Sequence, residues 1–176
     1  ILWQTRVGKG GTNGGVQWGM ASDGQKVYAA VSDLVRKAPP GTIVMVGLPP
    51  DPTQGGGLTA LRISDGEKVW YAAPQPCGPK PKCSPAQPAA LTAIPGVVFS
   101  GSDDGHLRAF ASEDGHVLWD FDTSRDYQTA NGVRGKGGSL DGAGPVIAGG
   151  MLFVNSGYAR NGGMAGNVLL AFAPEE

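Results

Sequence analysis

GHLRAFASEDGHVLW, residues 105–119, reads as a β-hairpin. His106 to Phe110 is a short strand carrying Leu107, Ala109 and Phe110. Asp114-Gly115 marks a tight turn, because glycine takes a positive φ without steric cost. Val117 and Leu118 then lead into Trp119, which sets an indole at the far end.

The chain repeats this unit. Residues 57–70 read GLTALRISDGEKVW, so Leu58 matches Leu107, Ala60 matches Ala109, Asp65-Gly66 matches Asp114-Gly115, and Trp70 matches Trp119. Every offset is 49 positions, as in 107 − 58. GNVLLAF, residues 166–172, supplies Leu169, Ala171 and Phe172 in the same order, and Leu2-Trp3 reads as the tail of another copy. Upstream, Lys26-Val27-Tyr28-Ala29, Val97-Val98-Phe99-Ser100 and Met151-Leu152-Phe153-Val154 are strands with an aromatic third, each after a turn (Asp23-Gly24, Pro95-Gly96, Gly149-Gly150). Before these come the apolar runs Val16 to Met20, Ala89 to Ile94 and Pro145 to Ala148. One unit therefore holds four strands, A to D, and four-stranded antiparallel units at this period are the blades of a β-propeller.

The expected fold is all-β, a partial propeller of about three blades: residues 4–73 with an insertion at 32–56, 74–122, and 123–176, which lacks its last strand. A propeller typically needs four to eight blades. The exposed ends are expected to be covered by missing N-terminal blades or by a second copy. The 30 glycines and 14 prolines suit many short strands joined by many turns. Lys+Arg 14 against Asp+Glu 15, a net charge of −1, argues against a nucleic-acid surface. No apolar run approaches a membrane span. Any targeting segment would lie upstream of Ile1.

Residues 4–15, 72–88 and 123–144 are Gly- or Pro-rich D-to-A connectors. The B-to-C insertion at 32–56 contains TIVMVG, residues 42–47, an expected extra strand. In an up-and-down blade the B-to-C and D-to-A connections leave the same face. The long polar segments therefore converge there, and function is expected on that face. Gly135-Lys136-Gly137-Gly138-Ser139 fails as a phosphate loop, and Gly137-Gly138-Ser139-Leu140-Asp141 fails as a nucleophile elbow. Asp103-Asp104 and Asp120-x-Asp122 lack the rest of a calcium loop and read as turn and strand-end residues. His106 and His116 read as surface residues on strands. Cys77 and Cys83 are the only cysteines. A disulfide closing their Pro-rich loop is favoured over a zinc site, which would need more ligands, and it suits a periplasmic or secreted protein.

The Leu-x-Ala-(Leu/Phe)…Asp-Gly…Trp pattern resembles the tryptophan-docking repeat of bacterial quinoproteins, propeller dehydrogenases that carry pyrroloquinoline quinone (PQQ). CSPAQ (83–87), IPGVVFSG (94–101), WDFDT (119–123) and NSGYARNGGMAGNVLLAF (155–172) resemble the C-terminal part of polyvinyl-alcohol-dehydrogenase-like proteins. On this resemblance Trp3, Trp70 and Trp119 wedge between blades, each giving its indole N–H to a backbone carbonyl. Trp18, in an A strand, is the candidate to stack on the quinone, with ordinary packing near the axis as the alternative. Lys9, Arg134 and Lys136 are candidates for its carboxylates, with Arg125 a weaker one. Asp141 is the candidate base for the alcohol proton and Asn131 a calcium ligand, both flanking an A strand; turn formation is the alternative for each. The implied activity is oxidation of small or polymeric secondary alcohols by hydride transfer to PQQ, with electrons passed to a cytochrome c. A non-catalytic scaffold, or a ring completed by oligomerisation, is the alternative.

Overall fold

The computed structural model describes residues 1–37, 41, 48–159 and 162–175. No helix occurs among them. Strands β1 (Ala21–Ser22), β2 (Lys26–Val31), β3 (Gly57–Arg62) and β4 (Lys68–Ala72) form one antiparallel sheet in chain order. β5 (Thr92–Ile94), β6 (Val97–Gly101), β7 (His106–Ala111) and β8 (Val117–Asp122) form a second in the same order. A two-stranded ribbon follows, β9 (Asp126–Gln128) with β10 (Arg134–Lys136). β11 (Val146–Ala148), β12 (Met151–Ser156) and β13 (Val168–Phe172) make a third sheet of three strands. The chain is a partial β-propeller: two full blades and one without a fourth strand.

The two full blades share their irregularities as well as their order. Ala60 pairs with Trp70 and Ala109 with Trp119, and in both hairpins the register slips immediately afterwards. The intervening turns use the same bonds. The Gly66 N–H donates to the Arg62 carbonyl and the Gly115 N–H to the Ala111 carbonyl, each at 2.9 Å. Asp65 and Asp114 accept the N–H two residues on, from Glu67 and His116. Gly66 and Gly115 sit at φ +73° and +78°, which fixes glycine at that point of the turn.

A second reason for glycine is the neighbouring blade. A Cβ on Gly66 would lie 2.4 Å from the Trp3 ring, and one on Gly115 2.5 Å from the Trp70 ring. Each indole covers the turn of the next blade and donates Nε1–H to its backbone, Trp3 to Ile63 at 2.7 Å and Trp70 to Ser112 at 3.0 Å. Ile63 and Ser112 are equivalent positions, three before the glycine. Trp119 instead meets Phe172 of the third blade edge-on at 5.3 Å, with Phe121 stacked on it at 5.7 Å. The apolar cores lie between blades. Tyr28, Leu58 and Trp70 pack with Leu91, Val98 and Phe110, and Leu107 packs with Leu140, Leu152 and Val154.

Three expectations change. Residues 16–20 are not strand: β1 begins at Ala21, so Trp18 lies before it. The third connector is not all loop, because β9 and β10 are built from it. His116 is exposed in the turn before β8 rather than on a strand. The expected strand at 42–47 lies outside the described residues.

Candidate functional site on the face of long loops

Strand B of each blade is β2, β6 or β12, and Tyr28, Phe99 and Phe153 hold equivalent places, each paired with an alanine of strand C. Four residues on come Ser32, Asp103 and Gly157. Their N–H groups donate to Gly15, Ala86 and Ser139 carbonyls at 2.9, 2.9 and 3.0 Å. The same backbone bond thus ties the B-to-C loop to the D-to-A connector in all three blades, and it stacks the long loops on one face.

At the next position the side chains take different roles in the three blades. Asp33, buried in the first blade, accepts the N–H groups of Lys9 (2.7 Å), Gly10 (3.3 Å) and Gly15 (2.8 Å), closing the glycine-rich connector onto itself. Asp104, buried in the second, accepts from Ser102, from the His106 N–H and from Arg108 Nη2 at 2.8 Å. Arg108 is itself buried and spans to Asp120 at 3.0 Å, whose other oxygen meets His106 Nδ1. Tyr158, in the third blade, is half exposed.

The three blades meet at Trp18. Its Nε1–H donates to Asp141 Oδ1 at 3.2 Å, joining the first blade to the third across 123 positions of sequence. The second blade enters through two backbone bonds, Ala90 N–H to the Gly142 carbonyl (2.9 Å) and Leu91 N–H to the Gly19 carbonyl (3.0 Å). Beside Asp141 lies Asp103, 2% exposed, whose Oδ2 has no hydrogen-bond partner among the described residues. Burial holds the Asp103 carboxyl well above the usual carboxylate range, and the charges of Asp141 and Asp104 add to this, with Arg36 opposing.

A carboxyl raised on folding favours the folded state at low pH, and that advantage is lost as pH rises from its unfolded value of about 3.8 through its folded one. Asp103→Asn is therefore expected to be at least as stable as the parent at pH 7. The parent should gain on the variant as pH falls towards 4. Urea midpoints of the full-length protein at pH 7 and pH 5 check this; a variant whose deficit is larger at pH 7 would show the carboxylate to be ionised and held.

Of the candidates for quinone, proton and calcium roles, Trp18 and Asp141 are brought into contact. Lys9 lines a separate cavity of about 330 Å³ with Arg6, Asp33 and Tyr71. Arg134 and Lys136 are neighbours on one face of β10, at a groove of about 470 Å³ shared with Tyr127, Gln128 and Asn167. Asn131 does not flank an A strand: it sits in the β9–β10 turn, where its Oδ1 accepts from Thr129 and from the Val133 N–H. Arg125 lies over the Phe121 ring at 4.3 Å. Among the described residues no group of three or more His, Cys, Asp or Glu is placed to hold a metal ion. Cys77 and Cys83 are joined in a disulfide. Lys80, inside that loop, donates to Asp122 (2.6 Å) and Ser124 (2.9 Å), which anchors the loop to the end of β8.

Over 187 aligned residues the chain is 44% identical to the polyvinylalcohol dehydrogenase of Pseudomonas sp and 38% identical to that of Sphingopyxis sp. (strain 113P3). Both alignments cover 98% of this chain. Nearly the whole chain is thus similar to one part of these polyvinylalcohol dehydrogenases. It spans 27% of the length of each of these relatives. No protein-family model matches it. The solved structure of BamB from Moraxella catarrhalis is similar at 19% identity and a TM-score of 0.44, covering 80% of this chain and 47% of that one.

Sequence reasoning did not anticipate the burial of Asp103 or the half-exposed Tyr158. The signal was present: both follow strand B at fixed distances from the aromatic Tyr28, Phe99 and Phe153. Asp103 was read as a turn residue because nothing in an Asp-Asp-Gly run reports burial. Among the described residues no helix is long and apolar enough to cross a membrane.

Proposed function

We propose that this chain forms the C-terminal blades of a PQQ-dependent alcohol dehydrogenase that oxidises secondary alcohols, polymeric ones included. The blades would divide at 73/74 and 122/123. The observation that carries the reading is the Trp18–Asp141 contact, which puts an aromatic face and a carboxylate from different blades at one point.

The fit to PQQ rests on Trp18. Its ring is 41% exposed and stands beside the Asp141 carboxylate, so it offers an aromatic face on which a flat group could stack. When bound, the quinone supplies the hydride acceptor. Trp18 orients the Asp141 carboxylate through Nε1–H, and Asp141 takes the hydroxyl proton as the alcohol carbon becomes a carbonyl. Calcium is the weaker part: Asn131 serves its own turn, so no ligand role is assigned here. Lys9, Arg134 and Lys136 remain candidates for anionic groups at their own grooves, with Arg134 and Lys136 acting as a pair. The disulfide supports a periplasmic or secreted protein, with a cytochrome c as electron acceptor.

The dispersal of those cations supports a second reading, a non-catalytic propeller scaffold closed by further blades or by a second copy. One experiment separates the two. The full-length protein is loaded with PQQ and calcium, and dye reduction is followed with a secondary alcohol. Asp141→Asn is expected to lower kcat by roughly 10²–10⁴-fold with PQQ binding retained. No PQQ-dependent dye reduction by the parent would favour the scaffold.

A further inference from the structure

We propose that the cavity between the Leu2-Trp3 tail and the first blade is an anion site, built for a small molecule that carries carboxylate or phosphate groups. Neither Trp18 nor Asp141 lines it, so the site does not depend on the cofactor reading above.

The second blade shows the same place closed. Arg108 pairs with Asp120 across β7 and β8, and Asp104 stands five residues after Phe99. Arg108 Nη2 donates to Asp104 at 2.8 Å and Nε to Asp120 at 3.0 Å, so the arginine is buried and saturated. The groove beside it, about 240 Å³, is lined also by Ala73 and Val117. In the first blade Asp33 stands five residues after Tyr28, and Thr59 pairs with Tyr71 across β3 and β4. Thr59 and Tyr71 each lie 49 positions before Arg108 and Asp120. The central arginine is thus replaced by a much shorter side chain, and one of its two carboxylates by a phenol. Asp33 manages without an arginine because it accepts the N–H groups of Lys9, Gly10 and Gly15 instead. The cavity at Thr59 is larger, about 330 Å³.

The flanking positions change in the opposite sense. Arg6 follows Trp3 by the same three residues that separate Ala73 from Trp70, and Lys68 precedes Trp70 as Val117 precedes Trp119. With Lys9, three cations line the cavity against one carboxylate, and that carboxylate is already satisfied by backbone. Among the described residues none of the three is paired with an acid. Two are held in place: Arg6 donates from Nε and Nη2 to the Gly8 and Lys9 carbonyls at 2.9 and 3.2 Å, and Lys68 Nζ stands 5.8 Å from the centre of the Tyr71 ring. Burial and the Asp33 charge push the Tyr71 phenol up, so it keeps its proton and is a further donor. Oxyanions match such a donor set, whereas a cation would meet three like charges. The cavity is open to water, so binding should weaken as salt rises.

The test uses the full-length protein at low ionic strength, with citrate and inorganic phosphate as probes in calorimetric titrations. Lys9→Gln/Lys68→Gln is expected to weaken binding on the order of tenfold. Lys82→Gln, at an exposed lysine of the disulfide loop, should stay within about twofold of the parent. Thr59→Arg restores the arginine of the second blade and fills the cavity. It is expected to weaken binding on the order of tenfold although it adds a positive charge. Urea midpoints control for folding, and if Thr59→Arg is unfolded the lysine pair decides alone. Binding of citrate but not phosphate would assign the site to carboxylates, and the reverse to phosphates. A parent that binds neither probe would overturn the site, as would a lysine-pair variant that binds like the parent. Tighter binding by Thr59→Arg would trace the attraction to diffuse charge and overturn the cavity as its seat.

Discussion

Trp70→Ala is expected to destabilise the propeller by about 3–5 kcal/mol, the usual range for emptying a buried indole site. Trp70 is 8% exposed and touches both sides of the gap between the first two blades. On its own side it meets Tyr28 at 5.8 Å between ring centroids; across the gap its six-membered ring lies on Gly115 and its Nε1–H reaches the Ser112 carbonyl. Glycine at 115 leaves a flat backbone surface, so no neighbouring side chain can swing in to fill the cavity. Trp70→Phe should recover most of the packing and lose the hydrogen bond, at a cost of about 1–3 kcal/mol. Urea midpoints of the full-length protein, with the three proteins ranked parent, Phe, Ala, check the expectation. A loss under about 1 kcal/mol for Trp70→Ala would mean that the blades are held together elsewhere.

Arg108→Met is expected to cost about 3–5 kcal/mol, because it leaves the buried Asp104 side chain without its cation. The Arg108 and Asp104 side chains are 7% and 5% exposed and 2.8 Å apart. Arg108 also donates to Ser102 Oγ at 2.9 Å and to Asp120 at 3.0 Å. Asp120 is 40% exposed, so water can replace the lost partner there, and the loss concentrates on Asp104. Replacing both members removes the stranded charge. The double variant Arg108→Met/Asp104→Asn is therefore expected to be more stable than Arg108→Met alone, a non-additivity that unfolding midpoints of the four proteins would show. Strict additivity would place the cost in lost packing rather than in the charge.

Much of the architecture was legible in the residues. The Asp-Gly turns at 65–66 and 114–115 and the tryptophans behind them marked the hairpins, because a turn needing positive φ and a strand needing an apolar face leave separate, short-range traces. The aromatic third residue of strand B located the other half of each blade. Strand A was placed too early: Val16, Trp18 and Met20 are apolar, yet the Gly19 carbonyl accepts from the Leu91 N–H of the second blade rather than from a strand of its own sheet. Composition cannot tell those uses apart. The β9–β10 ribbon was missed for a related reason, since Arg134-Gly135-Lys136 carries no apolar alternation; its Gly135 is buried against Val168 and Thr129 without a side chain of its own.

By itself the sequence determined the repeat, the antiparallel blades and the hinge of each hairpin, since these depend on residues within one turn or one strand of each other. Only the tertiary structure decided that Asp103 and Arg108 are buried, that Lys9 stands apart from Arg134 and Lys136, and that Trp18 reaches Asp141. Those facts depend on how blades fan about a common axis. That arrangement brings connectors from distant parts of the chain to one face, and sequence separation says nothing about which of them will touch.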